Sequence, residues 1–223
     1  MRLSELFDNN LNEGVHDKSI FKGIFVIGSP GSGKSTIAHK IEGIGGLRPV
    51  DPDMFFEMIY KKEVDPDLKT MKYKPEETYR IRHNVGHHNR KRFNIFVDSR
   101  IGFVFDGTGR DFNKTTDIVQ SAEDIGYDTL LIIVTCELEE ALKRNAGRAR
   151  TEDEAFVKQA YQQFMNNIPK YQGFFRNRCV FVDSTHMKKT DPLPVNCEKA
   201  VRKFTNQPIM NPIALDWIEQ NKG

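Results

Sequence analysis

The residues best suited to chemistry stand together near the start of the chain. Gly28, Ser29, Pro30, Gly31, Ser32, Gly33, Lys34 and Ser35, followed by Thr36, fit the pattern G-x-x-x-x-G-K-[ST]. That string has a mechanism only where a strand runs in and a helix runs out. Residues 24–27 are an unbroken apolar run, and beyond Ser35 the side chains of Ile37, Ile41 and Ile44 recur at helical spacing until Gly45 and Gly46 stop them. Glycines at 28, 31 and 33 let the loop turn with several N–H groups aimed at one point, and the helix adds its positive dipole end. The product is a cradle for a phosphate chain. Lys34 can reach the outer phosphates as a compact charge, and the Ser35 hydroxyl can ligate a Mg²⁺ that bridges them. ATP with Mg²⁺ is therefore the expected cofactor pair.

Two further strings decide what such a nucleotide is for. Asp51 and Asp53 follow a short strand candidate, residues 48–50. In a parallel sheet the carboxyl ends of the strands face the ligand crevice, so an acid there could take the proton of a hydroxyl that meets the terminal phosphate. Asp53 is the candidate base and Asp51 a candidate acceptor contact. An Asp-Pro turn with an N-capping Asp53 is the competing explanation. The next apolar strand leads into Asp106, Gly107, Thr108, Gly109 and Arg110. Asp106 is placed to hold the metal, while Thr108 and Arg110 put a hydroxyl and a guanidinium over the acceptor pocket. Later Arg144, Arg148 and Arg150 cluster at a helix end and in the loop after it, where they could stabilise charge on a transferring phosphoryl group. Favourable placement at a helix C-terminus accounts for Lys143 and for one of these arginines.

The elements that position these residues alternate. Strand candidates are residues 24–27, 48–50, 102–105, 129–135 and 179–182. Helix candidates are residues 35–42, 54–60, 75–98, 113–125, 138–146 and 152–168, with shorter ones at 197–204 and 212–220. The strands are apolar on both faces, as expected where helices cover a sheet from two sides. An α/β three-layer fold follows, with a central, mostly parallel five-stranded sheet. At 223 residues the chain suits one domain, residues 21–223, after a leader of residues 1–20, with a lid near 144–153 and a long exposed loop at 60–74. Lys and Arg number 33 against 31 Asp and Glu, so no global field demands nucleic acid or an anionic membrane. No apolar run reaches the length of a membrane span, and a cytoplasmic location is expected. Three cysteines without metal-ligand spacing read as reduced thiols.

Taken in order, the string at 28–35, Asp51 and Asp53, the Asp-Gly-Thr-Gly-Arg string at 106–110, Gly126-Tyr127 before the next strand and the arginine-bearing lid resemble the zeta toxin family of P-loop kinases. More distantly they resemble polynucleotide 5′-hydroxyl kinases. The resemblance covers about residues 21–175. It implies a P-loop kinase-type fold and an ATP- and Mg²⁺-dependent transfer of the γ-phosphoryl group to a hydroxyl of a nucleotide sugar or related small molecule. It also implies Asp53 as general base, Arg110 as an acceptor contact and the lid arginines as γ-phosphate stabilisers. The acid before Gly-Thr-Gly-Arg is commonly Glu in that family and is Asp106 here, and the lid arginines are spaced differently. A basic stretch, from Arg80 to Arg92 with His83, His87 and His88, keeps open a nucleic-acid acceptor, namely a polynucleotide 5′-hydroxyl or nucleoside kinase. A nucleotide switch or ATPase acting on a protein partner is the alternative of another class.

Overall fold

A computed structural model describes residues 14–66, 75–148 and 151–222. Five strands form one sheet: β1 (Lys22–Gly28), β2 (Arg48–Val50), β3 (Phe103–Gly107), β4 (Asp128–Thr135) and β5 (Cys179–Asp183). Their spatial order is β2-β3-β1-β4-β5, and every neighbouring pair is parallel. The sheet is thus wholly parallel, where the sequence leads one to expect mostly parallel. β1 lies at the centre and is buried along its whole length. It can be apolar on both faces because helices cover both.

Among the described residues there are eight α-helices: α1 (Lys34–Glu42), α2 (Pro52–Glu63), α3 (Pro75–Asp98), α4 (Phe112–Glu123), α5 (Leu138–Ala146), α6 (Glu154–Phe175), α7 (Val195–Asn206) and α8 (Pro212–Asn221). On one face of the sheet, Ile24, Val26 and Ile132 pack with Ile37 and Ile41 of α1 and Cys197 and Val201 of α7. On the other, Phe25, Phe103 and Ile133 pack with Phe93 and Phe96 of α3, Val119 of α4 and Phe164, Tyr171 and Phe175 of α6. A third, smaller cluster joins α2 to the first half of α3 through Phe55, Phe56, Ile59, Tyr60, Ile81 and Val85.

Several boundaries move for physical reasons. β3 continues through Asp106, which pairs in register with Val26, because an acid can end a buried strand when it has partners there. α2 begins at Pro52 and its N-cap is Asp51, whose carboxylate accepts the Asp53 N–H at 2.7 Å. Proline in the first turn needs no N–H partner, so the helix starts two residues earlier than a cap at Asp53 would allow. α2 also runs to Glu63 with Tyr60 fully buried, so the expected loop at 60–74 does not start at 60; its residues 67–74 lie outside the described ones. α6 passes through Pro169 to Phe175, held by Tyr171 and Phe175 in the core. In α8 Ala214 is buried and Trp217 and Ile218 pack partly buried against the core, while Ile213 is exposed.

Candidate active site

The 28–35 loop joins β1 to α1 at the carboxyl edge of the sheet. Gly31 and Gly33 both have left-handed φ, 82° and 80°. At Gly31 a side chain is excluded twice over, since a Cβ would also stand 2.2 Å from the carbonyl oxygen of Ala141 in α5. Gly33 is the N-cap of α1 and offers no side-chain acceptor, so the first-turn N–H groups of the helix point into the loop without a protein cap. The loop is held from outside: the Ser184 hydroxyl donates to the Ser32 carbonyl at 2.5 Å and also lies 3.1 Å from the Thr135 carbonyl. Ser29 Oγ and Ser32 Oγ are buried and without hydrogen-bond partners among the described residues.

Lys34 and Ser35 meet Asp106. Lys34 Nζ lies 3.9 Å from Asp106 Oδ1, and Ser35 Oγ donates to Asp106 Oδ2 at 2.6 Å. Both partners of the ion pair are buried. Asp106 Oδ1 is also buried and accepts no hydrogen bond. Burial pushes the Asp106 carboxyl up, and the Lys34 charge and the Ser35 hydroxyl pull it back down. These residues fit a Mg²⁺ ion: a serine hydroxyl and a carboxylate with an unsatisfied oxygen would supply hard oxygen donors beside the phosphate cradle. Among the described residues no cluster of three or more His, Cys, Asp or Glu could hold a metal ion.

Asp51 and Asp53 converge on the same place. Asp51 is 5% exposed, and its carboxyl is pushed up to about 6 by burial first and then by the charges of Asp106 and Asp53. Asp53 sits in the first turn of α2, half-buried, and contributes to the Asp106 shift as well. The three carboxylates therefore share one electrostatic neighbourhood. His39 of α1 opposes them, lowering both Asp51 and Asp106. Arg92 of α3 interacts electrostatically with Glu42 and Asp51 and packs its guanidinium over the rings of Phe55 and Phe96, at 5.4 and 5.1 Å.

After Asp106 the chain turns over Gly109, whose φ is 61° and whose missing side chain leaves room for Ile27 and Phe164. Thr108 and Arg110 are exposed, and the Arg110 guanidinium lies over the Phe156 ring at 5.3 Å. Asn167 Nδ2 donates to the Arg110 carbonyl at 2.8 Å, and Tyr171 OH to the Gly109 carbonyl at 3.0 Å, so α6 holds this loop.

Of the arginines of the expected lid, Arg144 and Arg148 lie among the described residues. Arg144 lies in the last turn of α5, with Nε donating to Glu140 and its terminal nitrogens to Ser184 and to the carbonyls of Thr185 and Met187. It fastens the loop after β5 to α5, next to Gly33. Arg148 is half-buried in the bend that follows, and Arg150 lies outside the described residues. In the basic stretch, Arg80 pairs with Glu63 and Glu77. Four contributors lay outside the expected set: His39, Arg92, Asn167 and, as a lock on the phosphate loop, Ser184. Each acts across many residues of sequence, and only Ser184 stood at a position, after the fifth strand, that its place in the chain could flag.

A parallel sheet in the order 2-3-1-4-5, with a glycine-rich loop leaving its central strand and a lysine, a serine and an acid meeting above it, defines a nucleotide-binding P-loop domain of the kinase fold. The chain belongs to the AAA domain family, whose model matches residues 24–168. Among solved structures it is similar to a chain of the PezAT chromosomal toxin–antitoxin system of Streptococcus pneumoniae, at 15% identity, TM-score 0.58, covering 97% of this chain and 93% of that one. It is also similar to a protein designated a kinase from Chloroflexus aurantiacus J-10-fl, at 14% identity, TM-score 0.57, covering 81% and 95%. A gluconokinase from Sinorhizobium meliloti 1021 shares 14% identity at a TM-score of 0.49, covering 91% and 98%. No curated protein matches the chain in sequence. No helix among the described residues is long and apolar enough to cross a membrane.

Proposed function

We propose that the protein is an ATP-dependent phosphotransferase of the zeta-toxin type, moving the γ-phosphoryl group to a hydroxyl of a nucleotide sugar or related small molecule. The observation that carries this reading is the convergence of two acids of separate origin, Asp53 after β2 and Asp106 at the end of β3, beside the Lys34–Ser35 end of the phosphate loop. The loop N–H groups and Lys34 bind and orient the phosphate chain. Ser35 and Asp106 would hold Mg²⁺, which when bound supplies charge neutralisation at the β- and γ-phosphates. Asp51 is engaged as the cap of α2, and its carboxyl titrates near 6, which suits it to positioning Asp53. Asp53 takes the acceptor proton as the acceptor oxygen bonds to the γ-phosphorus; the bond from that phosphorus to the bridging oxygen breaks, and ADP leaves with those electrons. Thr108 and Arg110 contact the acceptor, and Arg144, Arg148 and Arg150 are the arginines proposed to stabilise charge on the transferring group.

The test is Asp53→Asn. The variant is expected to bind a non-hydrolysable ATP analogue like the parent while losing about 10²–10⁴-fold in transfer. Label from γ-³²P-ATP would be followed onto UDP-sugars, nucleosides and 5′-hydroxyl oligonucleotides. Undiminished transfer by the variant removes Asp53 from the mechanism, and label on the oligonucleotide alone replaces the small acceptor with a polymer.

A further inference from the structure

Beyond Arg110 an open groove of about 620 Å³ runs between the start of α4 and one side of α6. Its volume is that of a small-molecule site. Gln159, Gln163, Asn166 and Asn167 line it from α6, spaced so that they form one stripe along the helix, and Lys170 continues the stripe. Arg110 and Asn113 face them from the other wall. The single acid there, Asp111, is already the N-cap of α4, accepting the Lys114 N–H at 3.0 Å.

This lining has a definite chemistry. The amides of Gln159, Gln163 and Asn113, with the remaining capacity of Asn166, whose Oδ1 accepts from Gln162, and of Asn167, whose Nδ2 donates to the Arg110 carbonyl, offer donors and acceptors that match hydroxyl groups, themselves both. Two cations, Arg110 and Lys170, suit one anionic group at the same time, with the capping Asp111 the one carboxylate beside them. An apolar or polyanionic partner would call for a different surface. Phe156, 38% exposed beside Arg110, adds a ring face at the rim. A merely solvated helix side usually carries charges of both signs. α6 does so elsewhere, where Glu154 pairs with Lys158. The stripe is also built into the site rather than set apart from it. Asn167, 9% exposed, ties α6 to the Arg110 carbonyl, so the groove continues directly from the loop that carries Asp106.

We infer that this groove is the subsite for the non-reacting part of the acceptor, and that this part is a polyhydroxylated moiety carrying a phosphate: the hydroxyls on the α6 amides, the phosphate between Arg110 and Lys170. The inference rests on the phosphotransferase reading for its purpose but not for its measurement. Calorimetric titrations of the full chain, first without nucleotide and then with a non-hydrolysable ATP analogue, would use glucose 6-phosphate, 6-phosphogluconate, UDP-glucose and UDP-N-acetylglucosamine. Inorganic phosphate and UDP serve as controls, and the first two probes against the last two separate a sugar phosphate from a nucleotide sugar. At least one sugar-bearing probe is expected to bind more tightly than either control. The Gln159→Ala/Gln163→Ala double variant, with an unchanged melting temperature, is expected to bind it about tenfold or more weakly, as for the loss of two hydrogen bonds. Lys170→Ala is expected to weaken the same probe in a salt-dependent way. The inference is overturned if no sugar-bearing probe outbinds phosphate and UDP, or if the double variant holds it as tightly as the parent. Failure of the ATP analogue to bind strikes the phosphotransferase reading alone.

Discussion

Asp51 is a buried acid that the fold keeps at a cost, and replacing it by asparagine should make the nucleotide-free protein more stable at neutral pH. The carboxyl titrates near 6 in the folded chain against an ordinary value of 3.8. Its folded pKa is raised, so the native state binds the proton more tightly than the unfolded chain does. Stability on this account is greatest below pH 3.8, falls as the pH rises from 3.8 to about 6, and stays low above. A shift of this size amounts to about 3 kcal/mol at pH 7.5 and about 1 kcal/mol at pH 4.5. Asparagine caps a helix as well as aspartate does and retains an oxygen to accept the Asp53 N–H, so Asp51→Asn removes the charge and keeps the cap. Asp51→Ala removes both and should be about 1 kcal/mol less stable than the asparagine variant at either pH. For a chain of this length each kcal/mol shifts the melting temperature by about 2–4 °C, so the gain for Asp51→Asn is at most about 6–12 °C at pH 7.5 and about a third of that at pH 4.5. Circular dichroism melts in EDTA, with no nucleotide, measure it. A loss of stability at pH 7.5, or a gain equal at both pH values, would refute the claim that the buried Asp51 charge is what destabilises the fold at neutral pH.

Lys34→Ala should weaken a non-hydrolysable ATP analogue at least tenfold by calorimetry; equal affinity would mean that the 28–35 loop does not hold the phosphates. Gly31→Ala forces a Cβ against the Ala141 carbonyl at a φ of 82°, and should cost about 1–3 kcal/mol and lower the melting temperature. An unchanged melt would show that α5 does not press on the loop. Tyr127→Phe removes a buried hydroxyl that donates to the Phe96 and Ile101 carbonyls, so the melt should fall by several degrees, for about 1–3 kcal/mol, with ATP-analogue affinity intact. A drop in affinity would place Tyr127 in the site rather than beneath it.

Local physics made much of this legible before any coordinates. The strand–glycine loop–helix at 24–42 announces itself because glycine conformation, dipole and lysine all act within a few residues. The apolar run at 129–135 reads as a strand buried on both faces and is one, whereas the run at 179–182, read the same way, forms an edge strand with Phe181 39% exposed. The ends of elements were harder: Asp106 reads as a loop acid until Ser35, 71 residues earlier, is seen to give it a hydrogen bond that lets it finish the strand. Asp51 and Asp53 could not be assigned cap and first-turn roles from their spacing, since either can precede a helix and only the position of Pro52 in the first turn decides. The partners of Arg144 were only half legible: Glu140 stands four residues before it on α5, but Ser184 and the carbonyls of Thr185 and Met187 come from a loop some 40 residues later. The amide stripe on α6 was hidden for the opposite reason: glutamine and asparagine on a long helix look like ordinary surface until a second wall appears.

α3 is 24 residues long, about 36 Å, and its two halves belong to different neighbourhoods. Phe93 and Phe96 root the second half in the sheet, whereas Ile81 and Val85 hold the first half to α2 in a small apolar knot of its own. The half of the site that carries Asp53 is therefore seated on an apolar knot of its own, joined to the main core through the length of α3 and through Arg92, which lies over both Phe55 and Phe96. The half that grips the phosphates is fastened differently, with Ser184 and Arg144 tying the phosphate loop, α5 and the segment after β5 together by hydrogen bonds.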